Sequence, residues 1–155
     1  MAMDEARGIT GTRLLLFGVR GRRFACELAA VREIVPFGLV TRLPGAPPAV
    51  AGVSNVRGLV VTVVDLGVRL ADGPVDRAEG AVLLVEHAGT VLGAGVDDLR
   101  DVVVPEGGVQ PASGGGAAGA AGVVCGVVTT AHGIAEVLDP AALVRETLVV
   151  AGGDQ

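Results

Sequence analysis

The sequence predicts an all-β domain of short strands closed by one short C-terminal helix. Three observations carry that expectation. Val supplies 29 of the 155 residues and Gly another 25, and a side chain branched at Cβ fits a pleated sheet better than a helix. Apolar runs of strand length recur at close spacing between Gly, Pro or charged turns, without strand–helix alternation. The runs are also near-continuous, as expected of strands covered on both sides. A barrel or a sandwich satisfies all three, and two small barrels packed on each other is one compact form. The core must be aliphatic, because three Phe are the whole aromatic set. A chain of this length fits one domain that needs no disulfide or metal.

The elements follow in order. Residues 1–12 are polar and read as a frayed arm, and 13–150 as the domain. LLLFGV (Leu14–Val19) and FACEL (Phe24–Leu28) flank a short Gly-containing turn and form a hairpin. AAVREIV (Ala29–Val35) is a helical turn or a strand, stopped by Pro36. Pro44, Pro47 and Pro48 make a rigid, extended connection. LVVTVVDL (Leu59–Leu66) is the strongest strand, preceded by a turn at Val56–Arg57 between Asn55 and Gly58. AVLLVEH and AGTVLGAGV form a second hairpin around Ala88–Gly89, and DDLRDVVV begins as a turn and ends as a strand. Pro105–Gly122 is low-complexity Gly/Ala with Pro, lacks bulky side chains to build a core, and is expected to be a flexible loop. GVVCGVVTTAHGIAEVLD is the last hairpin, turning at Ala131–Gly133. Asp139-Pro140 supplies an N-cap and first helical residue for DPAALVRETL, the single credible helix. Residues 151–155 read as a disordered tail.

Composition removes several chemistries. All 12 basic residues are Arg, so Schiff-base, phosphate-binding and general-base lysines are excluded. Ser54 and Ser113 are the only serines, and neither lies in a G-x-S-x-G elbow. The apolar runs break well short of the roughly 20 residues that a membrane span needs. The N-terminus lacks an apolar signal region, so a cytoplasmic protein is expected. Cys26 and Cys125 sit in apolar runs without C-x-x-C spacing and are expected to be buried free thiols. The net charge is −5 but uneven. Seven Arg face two acids between Arg13 and Arg57, and four Arg face 13 acids after it. This predicts two surfaces of different sign. The small basic cluster lacks interleaved aromatics, so nucleic acid is not an expected partner.

The remaining motifs carry little chemistry. Gly114, Gly116 and Gly119 spell G-x-G-x-x-G, but no strand precedes them and no helix opens from them, as a dinucleotide site requires. Asp97, Asp98 and Asp101 could form a catalytic or metal-binding carboxylate cluster. They lack Asn, Glu or His nearby to complete a shell, and a solvated turn explains them as well. His87 and His132 lie beside hairpin turns with no zinc-site spacing. No catalytic, metal or cofactor-binding residue is therefore expected. Arg57, in a turn between apolar elements, is either a structural bridge or an interaction residue able to pair with a carboxylate.

Four segments resemble one family. PPAVAGVSNVRGLVVTVVDL fits P-x-x-x-x-G-V-x-N-x-R-G-x-x-x-P-V-x-D-L, with Thr62 in place of the Pro. Val31, Glu33 and Ile34 fit V-x-E-I after the opening hairpin. GAGVDDLRDV fits G-x-x-V-D-x-V-x-x-V, and LDPAAL fits L-D-x-x-x-L. In this order over residues 13–147, they resemble the CheW-like domain family of bacterial chemotaxis coupling proteins. The resemblance implies two packed five-stranded SH3-like β-barrels and a non-enzymatic adaptor without cofactors. It implies two partners: the regulatory domain of a histidine kinase and the cytoplasmic tip of a chemoreceptor. By the same resemblance Val31, Glu33 and Ile34 border the receptor- and kinase-facing surface. Gly52 and Arg57 match the G-V-x-N-x-R-G motif, with Arg57 the foremost contact, and Leu99 and Val102 form a kinase-side apolar pair. Two other readings stand beside the adaptor: a small barrel that holds an apolar ligand, and an enzyme built on Asp97, Asp98 and Asp101.

Overall fold

The structure is a computed structural model that describes residues 12–38, 40–105, 107–111 and 122–152. The Gly114–Gly119 pattern, Ser113, residues 1–11 and residues 153–155 lie outside the described residues. Among the described residues, eleven strands form two sheets. The first sheet takes β1 (Leu14–Val19), β2 (Arg22–Glu27), β8 (Asp98–Val103), β9 (Gln110–Pro111), β10 (Val124–Thr130) and β11 (Gly133–Leu138). Its order is β8-β1-β2-β11-β10-β9. The second takes β3 (Val31–Pro36), β4 (Val50–Val56), β5 (Leu59–Asp65), β6 (Ala81–His87) and β7 (Thr90–Val96), in the order β3-β6-β7-β5-β4. The second sheet is thus inserted between β2 and β8 of the first. Neighbours are antiparallel except β2 with β11 and β5 with β7.

Both sheets are rolled. Flat, β3 and β4 would stand four strand spacings apart, roughly 19 Å. Yet the turn that follows β4 touches β3 through the Arg57–Glu33 ion pair. In the first sheet, His132 beyond β10 reaches Asp101 on the far edge strand β8 at 2.9 Å. The expected pair of small barrels is therefore the right architecture, with one difference. The first sheet has six strands, because Gln110 and Pro111 pair with Val127 and Gly126. Val109 packs against the core beside them. That part of the Pro105–Gly122 segment, expected as loop, is held by one apolar side chain and a strand edge.

The near-continuous apolar runs are explained by β1. All six of its residues are buried. Leu14 and Leu16 fill the interior of the first sheet with Ala25, Val128, Ala135 and Val137. Leu15, Phe17 and Val19 face the other way, into a larger core shared with Val61, Val63, Leu83, Val85 and Val96 of the second sheet. One strand thus serves two cores, and no polar alternation is possible along it. The C-terminal helix α2 (Pro140–Gly152) lies over β6 and β7 and adds Ala142, Leu143 and Val144 to the shared core. Asp139 caps it by accepting from the Ala141 amide at 3.0 Å, as expected of Asp-Pro. The helix continues through Gly152, past the expected end of the domain.

Three hairpins share one turn. Arg20-Gly21, Arg57-Gly58 and Ala88-Gly89 each form a two-residue connection with positive φ at both positions. This left-handed pair matches the twist of antiparallel strands. A short helix, α1 (Leu66–Leu70), was not expected. The apolar run through Leu66 reads as strand, but the Asp65 side chain accepts from the Gly67 and Val68 amides and turns the chain into a helix.

Two further expectations are corrected. The basic first segment is not left unopposed in space. Arg20 pairs with Asp72, Arg22 with Glu136 and Arg32 with Glu86, so its charge is partly matched by the acidic second segment. The thiols also differ. Cys26 is buried but Cys125, the extra residue of a bulge in β10, is exposed. Burial pushes the Cys26 thiol up to about 12, from an ordinary 9.0. Since the folded state raises this pKa, the stability linked to the neutral thiol is whole below pH 9 and is lost as pH rises toward 12. A disulfide reagent at neutral pH is expected to titrate Cys125 alone in the native protein, and both thiols after urea unfolding. Modification of Cys26 in the native state would show that the shared core opens.

Candidate protein-binding surfaces

The first surface is an open groove of about 510 Å³ between the two outer strands of the second sheet. Glu33, Val35 and Pro36 line one wall from β3, and Val53 to Val56 line the other from β4. Phe37, Thr41 and Val60 complete it. Above Gly52 the walls are laced by one bridge. The Thr41 and Val53 amides each donate to the other's carbonyl, at 2.8 and 2.9 Å. At the far end the Arg57 guanidinium donates to the Glu33 carboxylate across the gap. Arg57 keeps 77% of its side chain exposed, whereas Glu33 keeps 26%. A pair this exposed adds little stability, so its guanidinium remains available to a partner's carboxylate. The turn below is braced by the Gly58 amide on Asn55 Oδ1 at 2.8 Å.

The structure brings Glu33 and Arg57 together and separates the other expected contacts. Val31 pairs with Val85 of β6 and packs on the shared core. Ile34 is exposed but does not line the groove. Gly52 is buried beneath Thr41, where backbone passes too close for a side chain. Leu59 and Val60 were missed by the sequence reading. They follow the Arg57–Gly58 turn directly and are 43% and 64% exposed. Two apolar residues beside a positive-φ turn were the available signal.

The second surface lies on β8. Residues three apart in a regular strand face opposite sides, so Leu99 and Val102 should not share a face. A bulge changes that. Leu15 stands opposite Val102 and Phe17 opposite Leu99, with Arg100 as the extra residue. Directly paired residues share a face, and Leu15 and Phe17 both face the shared core. Leu99 and Val102 therefore continue that apolar face past the point where the fold covers it, each 42% exposed.

The acidic cluster does not converge. Asp97 accepts from the Arg20 and Asp76 amides, Asp98 pairs with Arg100, and Asp101 pairs with His132. Hydrogen bonds from His132 and from the Val102 amide hold the Asp101 carboxyl below its ordinary value. Three carboxylates with three separate partners make no paired catalyst. Among the described residues, no group of three or more His, Cys, Asp or Glu could hold a metal ion.

The family model described as the CheW-like domain matches residues 13–148. A chemotaxis protein CheW of Klebsiella aerogenes is 33% identical over 94 residues, covering 60% of this chain and 57% of that protein. A chemotaxis protein CheW of Bacillus subtilis is 32% identical over 95 residues, covering 61% of each. The chain thus matches about three fifths of the length of these curated relatives. The crystal structure of the scaffolding protein TtCheW from Thermoanaerobacter tengcongensis superposes with a TM-score of 0.75 at 21% identity, over 83% of this chain and 89% of that one. That likeness bears on the fold.

Proposed function

The chain belongs to the CheW-like domain family, and on that premise we propose that it is a non-enzymatic adaptor coupling chemoreceptors to a histidine kinase. The observation that supports this reading is that two separate surfaces, an open groove on one sheet and an exposed apolar pair on the other, stand apart on the fold. The groove spanned by Glu33 and Arg57 takes the receptor's cytoplasmic tip. The apolar pair Leu99 and Val102 on β8 takes the kinase's regulatory domain. Gly52 supports the groove from within, and Val31 and Ile34 border it on β3. The adaptor works in the cytoplasm, at the membrane-bound receptors. In support of a peripheral role, no helix among the described residues is long and apolar enough to cross a membrane.

The apolar-ligand reading is less well supported. The groove is open and carries Glu33, Thr41, Ser54, Asn55 and Arg57 among its lining residues, whereas ligand sites of that class are enclosed and mostly apolar. Titration with a soluble receptor tip fragment tests the adaptor. Arg57→Glu places two acids at the groove mouth and is expected to weaken binding about tenfold or more, a loss of ~1.4 kcal/mol or greater. The swapped pair Glu33→Arg with Arg57→Glu restores the bridge but not the contact, and is expected to stay weak. Full recovery in the swapped pair would give Arg57 a purely structural role.

A further inference from the structure

Between the two surfaces run three consecutive residues that each donate a hydrogen bond to Asp65 or Asp97. The Val75 amide donates to the buried Asp65 carboxylate at 3.1 Å. The Asp76 amide donates to Asp97 at 2.6 Å. Arg77 donates to Asp65 at 3.2 Å and lies over the Phe37 ring, 5.9 Å from its centroid. Each contact has a consequence at one end. Phe37 forms part of the groove. Its ring also packs so closely on Gly95 that no side chain fits there. Asp97 immediately precedes β8, which carries Leu99 and Val102. Its second oxygen accepts from the Arg20 amide in the β1–β2 turn, and its own amide donates to the Gly18 carbonyl at 2.9 Å. The segment is braced from below, since Asp76 also accepts from the Ala78 and Glu79 amides.

We propose that Val75–Asp76–Arg77 is the element that couples the two surfaces, with Arg77 positioning Phe37 in the groove and Asp97 positioning the start of β8. The proposal rests on the adaptor reading above. Coupling between sites needs a physical element that both sites bias, and here one short braced segment touches the support of each. A partner that shifts Phe37 pulls on Arg77, and the adjacent Asp76 amide passes the displacement to Asp97. Arg77 and Asp97 are positioning residues, since neither belongs to the groove lining or to the Leu99–Val102 pair.

Two measurements test this in the full chain. The first needs no partner. Amide hydrogen exchange of Arg77→Gln is expected to change in β8, and that of Asp97→Asn in Phe37 and Thr41. Changes confined to the immediate neighbours of each substitution would overturn the proposal. The second measures the affinity for the kinase's regulatory domain with and without saturating receptor tip fragment. Wild type is expected to show about a fivefold or larger difference, the lower end of ordinary allosteric coupling. Arg77→Gln and Asp97→Asn are expected to bring that ratio to about one, while each partner alone still binds within about twofold of wild type. Asp72→Asn breaks only the exposed pair with Arg20 and is expected to keep the coupling. Coupling retained in both variants, or absent from a wild type that binds both partners, overturns the proposal. Failure to bind either partner sinks the adaptor reading instead, and the exchange experiment then decides the coupling element by itself.

Discussion

Asp65→Ala is expected to destabilise the fold by about 3 kcal/mol or more, because it leaves buried amide donors unsatisfied and removes a helix cap together. For a chain of this size that lowers the thermal midpoint by about 10 °C. The Asp65 side chain is fully buried. It accepts from the Gly67, Val68 and Val75 amides and from Arg77. Alanine leaves those donors without the carboxylate, uncaps α1 and frees the segment that follows. Asp65→Asn keeps one acceptor oxygen and is expected to lose about half as much. Thermal melts followed by circular dichroism check both. A loss for alanine below about 1 kcal/mol would mean that water replaces the carboxylate.

Gly52→Ala is the second large effect, at about 3 kcal/mol or more, from backbone strain and overpacking together. Gly52 has a φ of +147°, and a Cβ there would collide with the Thr41 carbonyl. Thr41 cannot retreat without breaking both hydrogen bonds of its bridge to Val53. The damage should therefore reach the groove. Exchange protection of the Thr41 and Val53 amides is expected to fall before that of β6 or β7. If binding falls while stability and protection stay at wild-type levels, Gly52 acts as a contact rather than through the backbone.

The fold was largely legible because its local signals agree. The Ala88-Gly89 turn, the apolar runs and the Asp-Pro cap each mark one element without help from the rest of the chain, whereas the turn expected at Val56–Arg57 lies one residue later, at Arg57–Gly58. The short helix α1 was not legible, because Leu66 extends an apolar run and the cap at Asp65 works through hydrogen bonds rather than composition. Cys125 was misread for a related reason, since a bulge turns it outward from a run that looks buried. The charge pattern overstates the imbalance because pairs form across the fold, as Arg22 with Glu136 does.

The surfaces divide in the same way. Arg57 is visible as a turn residue, but its pairing with Glu33 depends on the sheet rolling until its outer strands meet. Leu99 and Val102 are visible as apolar residues, but their common face depends on the bulge at Arg100. Spacing alone assigns them to opposite faces. The acids at 97, 98 and 101 look like a cluster in sequence and separate in space, because each finds a different partner.

The central claim is that one molecule of this chain holds two partners at once through two separate surfaces. Sedimentation of the full chain with a labelled kinase regulatory domain and a soluble receptor tip fragment tests it most directly. The account predicts a ternary species, with Arg57→Glu losing the receptor fragment alone and the Leu99→Asp, Val102→Asp double variant losing the kinase domain alone. Binding of neither partner by the wild-type chain, or competition of both for a single surface, would contradict it.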